Sequence, residues 1–201
     1  MNPNTKKRWE KKYGRYIDEK YIRSDGRHLL KFMHLLRKAD AILDFGSGLG
    51  GNVQYLATHL ENTRFILIDH SETSQDFVRK ELLGNEDDKG NSFEYFLDLT
   101  EVPDQSINLA MSIEVLEHIT EYKEILDLLW AKLKPGGTLL ISVPVLGIRD
   151  RTRLHVNKFT INSMFRILTE YGETVHIAPR TYSKKSGRLS TSYFYVEKAP
   201  A

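Results

Sequence analysis

The segment Ala41-Ile42-Leu43-Asp44-Phe45-Gly46-Ser47-Gly48-Leu49-Gly50-Gly51 constrains this chain more than any other. Its first five residues, mostly apolar and bounded by glycine, read as a short buried strand. The glycines that follow permit a tight turn and let a ligand approach the backbone. Val53, Leu56 and Leu60 then predict a helix over about 52–59. A strand, a glycine turn and a helix make an anion- or nucleotide-binding corner, and they point to an α/β fold.

The rest of the chain alternates in the same way. Trp9, Tyr13, Tyr16 and Ile17 share one face of a helix predicted over 6–21, and Ser24 or Asp25 caps a second helix carrying Leu29 to Leu36. Strands are expected at 64–69, 92–96, 107–113 and 138–143. Helices are expected at 71–83, capped by Ser71, at 121–133, stopped by Pro135-Gly136-Gly137, and at 160–171, capped by Thr160. Two last strands, near 174–178 and 192–197, have only a loop between them and should pair antiparallel. The expectation is a parallel sheet covered on both faces, with one reversed strand near its edge. At 201 residues the chain reads as a single domain, 1–201, with 1–40 as a helical cap.

The chain has no cysteine, which excludes a disulfide framework, a thiolate zinc site and a cysteine nucleophile, and fits a reducing, cytoplasmic setting. No apolar run approaches the ~20 residues of a membrane helix. Met1 to Lys12 are polar and basic, unlike a secretory signal. Net charge is +7 over residues 1–40, −11 over 41–147 and +6 over 148–201. Such basic ends are either solvated surface or fold over one face and attract an anionic substrate.

Gly46-x-Gly48-x-x-Gly51, with Asp69 18 residues further on, matches a dinucleotide fingerprint, so a nicotinamide- or flavin-linked oxidoreductase competes. Asp44 argues against it. An acid at the end of the first strand would repel a pyrophosphate and favour a cationic ligand. S-adenosylmethionine, with an ammonium and a sulfonium, is such a ligand. Asp69 can accept from both ribose hydroxyls and Asp98 from the adenine amino group. The three acids, at spacings of 25 and 29 residues, end three predicted strands and line one crevice.

With Ile68-Asp69, Asp98-Leu99, Ser112-Ile113-Glu114-Val115-Leu116-Glu117-His118 and Leu133-Lys134-Pro135-Gly136-Gly137 added, the chain from Ile42 to Val196 resembles the class I S-adenosylmethionine-dependent methyltransferases. It looks closest to the small-molecule branch that includes ubiquinone-pathway and sugar or glycan O-methyltransferases. His155-Val156-Asn157-Lys158-Phe159-Thr160 is similar to a stretch of that branch. The resemblance implies a Rossmann-like, seven-stranded mixed sheet of order 3-2-1-4-5-7-6 with strand 7 antiparallel and helices on both faces. It implies that Gly46 and Gly48 meet the cofactor's methionine part, Asp69 its ribose, and Asp98 with Leu99 its adenine. Ser112 and Ile113 would lie under the sulfonium. His70 stands where the branch has an apolar residue and could stack on adenine.

On the acceptor side, a hydroxyl must lose a proton as it is methylated, and His155, His118 or Glu114 could take it. Glu114 and Glu117 could instead satisfy backbone donors of a short helix. Glu114, Glu117, His118 and His155 together are similar to the metal site of small-RNA 3′-end 2′-O-methyltransferases, but Ile119 replaces one of that family's paired histidines. Dependence on a divalent metal is therefore not favoured. Arg149, Arg151 and Arg153 read either as solvated charges or as a clamp for an anionic acceptor. A second basic loop, 183–188, follows. Neither loop interleaves aromatics, which disfavours nucleic acid. The expected acceptor is a small polyhydroxylated or carbohydrate molecule. The rivals are a metal-dependent RNA 2′-O- or catechol-type methyltransferase, the oxidoreductase, and a partner subunit that binds the cofactor without catalysis.

Overall fold

The computed structural model describes residues 4–182 and 189–201, so the basic loop 183–188 lies outside the described residues. Seven strands form one sheet: β1 (Ala41–Phe45), β2 (Arg64–Ile68), β3 (Ser92–Phe96), β4 (Ile107–Ile113), β5 (Leu133–Pro144), β6 (Val175–Tyr182) and β7 (Leu189–Glu197). Their order is β3-β2-β1-β4-β5-β7-β6, as expected. β1 pairs parallel with β2 and β4, while β7 runs antiparallel to both β5 and β6.

Period-2 alternation sends neighbouring side chains of the central strands to opposite faces. Ile42, Phe65, Leu67, Leu109 and Met111 pack with Leu29, Phe32, Leu36, Val53 and Leu56. These last residues come from α2 (Gly26–Leu29), a 3₁₀ turn, α3 (Met33–Leu36) and α4 (Gly51–Ala57). Leu43, Ile66, Ile68, Ala110 and Ile141 face the other way, onto Leu126, Leu129, Met164 and Leu168. Those belong to α6 (Tyr122–Lys132) and α7 (Ile161–Leu168). With both faces covered, β1 and β2 can be almost wholly apolar.

Three stretches differ from the sequence reading. Pro135-Gly136-Gly137 does not sit between helix and strand but inside β5, as a bulge: Ile107 pairs with Leu133, yet Leu109 pairs with Thr138. Gly136, with φ +76°, makes the bulge possible. The single helix expected after Ser24 is broken by the 3₁₀ turn at Leu30–Phe32. The helix expected to Leu83 is α5 (Glu72–Phe77), continued by one π turn over Val78–Leu82. Ser71 caps it as expected, accepting from Ser74 N at 3.1 Å. The first helix, α1 (Lys6–Asp18), buries no residue fully and packs against α5.

Candidate active site

A cavity of about 630 Å³ opens at the carboxyl ends of β1 to β4, roofed by α1. Its size suits a small-molecule ligand. Phe45 to Leu49 form one wall, and Asp69, His70, Asp98 and Leu99 another. Ile113, Glu114, Val115 and His118 form the far end, and Trp9, Lys12, Tyr13 and Tyr16 the roof. Asp44 and Ser112 lie just behind the walls.

The loop after β1 is folded by its own glycines. Gly46 N and Ser47 N donate to Ile68 O at 2.8 and 3.0 Å, tying the loop to β2. Gly46 has φ +74°, and a Cβ there would meet Val115 at 2.5 Å. Asp44 is 1% exposed, and among the described residues neither carboxylate oxygen has a hydrogen-bond partner. Burial, then the Asp69 charge, pushes its pKa up to about 8. The Ser47 hydroxyl is likewise buried without a partner. Such orphaned groups in an otherwise satisfied loop fit a ligand with a cationic end.

Asp69 is well anchored. It accepts from Gly48 N at 2.9 Å, Ser71 N at 3.0 Å and the Tyr13 hydroxyl at 3.1 Å. Burial raises its pKa and these bonds counter only part of that. Tyr13 is a neighbour that strand-end reasoning missed. Its signal was the aromatic stripe of the first helix. His70 is half-exposed, with Nδ1 3.9 Å from Asp69. Asp98 is exposed and caps the 3₁₀ turn Leu99–Glu101, accepting from Thr100 N at 2.8 Å and Thr100 Oγ1 at 2.7 Å. These bonds hold its pKa below the usual range.

At the far end, Glu114 closes β4 in the left-handed region, φ +59°, where a non-glycine residue is strained. It accepts from Ser142 Oγ at 3.2 Å and lies 3.6 Å from Arg23. Glu117 is 1% exposed and its Oε2 has no partner among the described residues. Burial, then the Glu114 charge, raises its pKa strongly. His118 Nδ1 is 2.9 Å from Leu154 O and its Nε2 4.0 Å from Glu117. Burial pushes its pKa down to about 4, with His155, Lys12 and Arg23 adding to that and the Leu154 carbonyl opposing it. The rings of His118 and His155 meet edge-on at 4.9 Å. His155 Nδ1 is 2.5 Å from Asp150 Oδ2, a partner that sequence reasoning missed. Glu114 and His118 line the cavity, while Glu117 and His155 sit behind it. Arg149, Arg151 and Arg153 are exposed and are not brought to the cavity wall.

A family described as "Methyltransferase domain" matches residues 43–139, which hold the glycine loop, the strand-end acids and Glu114 to His118. The chain is a class I S-adenosylmethionine-dependent methyltransferase. Solved structures share the methyltransferase's fold at low identity. A SAM-dependent methyltransferase of Archaeoglobus fulgidus has a TM-score of 0.67 and 16% identity over 86% of this chain and 92% of its own. One of Aquifex aeolicus gives 0.63 and 19%, over 86% and 89%. Phosphoethanolamine N-methyltransferase 2 of Haemonchus contortus, in complex with phosphomonomethylethanolamine and S-adenosylhomocysteine, gives 0.64 and 16%. That match covers 88% of this chain but only 53% of the nematode protein. No curated protein matches the methyltransferase's sequence. The orphaned Asp44 and Ser47 and the Gly46 turn fit S-adenosylmethionine as cofactor, and the oxidoreductase alternative falls. Among the described residues no helix is long and apolar enough to cross a membrane.

Proposed function

We propose that this methyltransferase methylates a hydroxyl of a small polyhydroxylated acceptor, such as a sugar or glycan unit, bound beside His118. The observation that carries this reading is the placement of Glu114 and His118 together in the cavity wall, at the end of the strand next to the glycine loop. When bound, S-adenosylmethionine supplies an electrophilic methyl group. Gly46, Ser47 and Gly48 hold its methionine end, with the Asp44 charge behind them, Asp69 its ribose, and Asp98, Leu99 and His70 border its adenine. Ile113, with Ser112 behind it, forms the floor. Alignment of acceptor and methyl supplies most of the rate in an in-line displacement. His118, tied through Nδ1 to Leu154 O, keeps Nε2 for the proton the hydroxyl loses. Its depressed pKa keeps it neutral at pH 7. The lack of cysteine suits a cytoplasmic setting for this work.

The test is release of S-adenosylhomocysteine across a panel of sugars and glycans. His118→Ala should lower kcat by ~10²–10⁴-fold and leave S-adenosylhomocysteine affinity within about twofold. A His118→Ala variant with wild-type kcat refutes the base assignment, and turnover of amines alone refutes the hydroxyl acceptor.

A second reading is supported by the group behind the wall. One ligand atom each from Glu117, His118 and His155 lies within 4.8 Å of the others. Both imidazoles are tied through Nδ1, leaving Nε2, and Glu117 Oε2 is an orphaned buried acceptor. This is the arrangement of a two-histidine, one-carboxylate divalent site with outer partners fixing each ring. Glu114 faces Arg23 and Ser142 instead. Such an ion would hold the two hydroxyls of a diol, as in RNA 2′-O- or catechol-type methylation. Calorimetric Mn²⁺ binding, lost in Glu117→Gln, together with silencing by chelator, would establish it in place of the base. Full activity in chelator removes it.

A further inference from the structure

The roof of the cavity holds a charge that nothing described so far uses. α1 is clamped across the mouth by Glu10, which accepts from Ser71 Oγ, Glu72 N and Thr73 N at 3.0, 2.8 and 3.2 Å. The clamp places Lys12 half-buried in the cavity lining. Its Nζ lies 3.9 Å over the Trp9 ring and 5.6 Å from that of Tyr16. Among the described residues it has no hydrogen bond and no ion pair, and the cations of Arg23, Arg15 and Arg8 act on it, opposed by the charge of Asp69. Burial and those cations push its pKa down to about 8. Arg23, also in the lining, pairs loosely with Glu114 at 3.6 Å. A half-buried ammonium crowded by guanidiniums and directly paired with no anion among the described residues is unfavourable unless a ligand supplies one.

We infer that Lys12 and Arg23 form an anion-binding subsite that takes a carboxylate or phosphate carried by the acceptor close to its methylated hydroxyl. The inference rests on the acceptor reading above and names the acceptor's class: an anionic polyhydroxylated molecule, such as a uronate or a sugar phosphate. The cofactor's own carboxylate is the competing source. Position favours the acceptor. The Trp9 ring that carries Lys12 packs edge-on against His118 at 5.2 Å, at the acceptor end. The roof residue on the cofactor side is Tyr13, which is bound to Asp69. Arg149, Arg151 and Arg153, exposed outside the lining, leave this role to the roof.

The test uses inorganic phosphate and the full chain saturated with S-adenosylhomocysteine. Phosphate is titrated against chloride at constant ionic strength, and the Trp9 indole N–H is followed by NMR. The wild type should show a saturable shift. Lys12→Met should weaken phosphate binding at least tenfold, as for loss of a charge-assisted hydrogen bond, and Lys12→Arg should restore it. Affinity for S-adenosylhomocysteine should stay within about twofold, which also shows that the variants fold. Arg149, Arg151 and Arg153 all changed to Gln should bind phosphate like the wild type. The subsite is refuted if the wild type shows no saturable shift or if Lys12→Met binds phosphate unchanged. It is reassigned to the cofactor's carboxylate, and the inference fails, if Lys12→Met loses S-adenosylhomocysteine tenfold while the saturated wild type ignores phosphate. Failure of the hydroxyl-acceptor reading looks different: His118→Ala would keep its rate while phosphate still bound through Lys12.

Discussion

Asp44→Asn should make the ligand-free enzyme more stable and its cofactor site worse, and the balance should depend on pH. Asp44 is fully buried and its pKa is about 8 in the fold, against an ordinary 3.8. A raised folded value means that protonated Asp44 favours the native state. That contribution is complete below about pH 4 and is lost as pH rises to about 8. At ~1.36 kcal/mol per pKa unit, ionisation of the unfolded chain costs the native state about 4 kcal/mol at pH 7 and under about 2 at pH 5. The Asn amide inherits the unpartnered surroundings, at about 1–3 kcal/mol. The net gain at pH 7 is then about 1–3 kcal/mol, a rise in Tm of roughly 2–10 °C for a chain of this size, shrinking to nothing near pH 5. Calorimetric Tm of both proteins across pH 5–8, without ligand, checks this. S-adenosylhomocysteine, whose ammonium meets this loop, should bind wild type more tightly as pH rises toward 8. It should bind Asp44→Asn about tenfold more weakly at pH 8, with little pH dependence. A Tm difference that is flat with pH, or an Asp44→Asn protein less stable at pH 8, would falsify the claim that Asp44 is an orphaned acid waiting for a cation.

In the divalent-site reading, Asp150→Asn should weaken Mn²⁺ binding and lower kcat with S-adenosylhomocysteine affinity retained, because the amide can donate to His155 Nδ1 and put the proton on Nε2, the ligand atom. Imidazole ¹⁵N shifts that stay unchanged in Asp150→Asn would show that Asp150 does not set the tautomer. Gly46→Ala should cost several kcal/mol of stability, since it joins a left-handed φ to a 2.5 Å clash with Val115. Val115→Ala in the same chain should recover the clash but not the backbone strain, and chemical denaturation measures both.

What could be read from the sequence was what local patterning encodes. β1 and its glycine loop announce themselves because strand, turn and helix follow within a few residues. The strand-end acids stand out because an acid is anomalous at the end of an apolar run. The bulge in β5 was unreadable: Pro-Gly-Gly signals a chain break, and only the partner strand at Ile107 to Leu109 turns it into a detour within a ladder. The arginine loop is a related case. Arg149, Arg151 and Arg153 form a charged row in sequence, but Asp150 turns inward to 7% exposure and leaves the arginines facing solvent. The acid between the cations is the residue of this row that reaches His155. Tyr13 on Asp69 and Trp9 on His118 join residues whose proximity is tertiary, so helical periodicity could identify a packed face but not what it covers.

The same distinction explains how two histidines so far apart in sequence meet. The 3₁₀ turn Leu116–His118 is too short to orient a side chain by itself. Asn157 fixes it from the loop between β5 and α7, donating to Leu116 O at 2.8 Å and Ile119 O at 2.6 Å, while its own N–H donates to Glu117 O at 3.1 Å. Asn4 fixes it from the chain's start, donating to His118 O at 2.9 Å and Leu154 O at 2.7 Å. Leu154 O has two lone pairs, and the second meets His118 Nδ1. One carbonyl thus sets the imidazole and receives the N-terminal segment that leads into α1. The roof that carries Lys12 and the wall that carries His118 are therefore registered on each other by hydrogen bonds to a common atom. A ligand that engages one engages a surface whose position the other already determines.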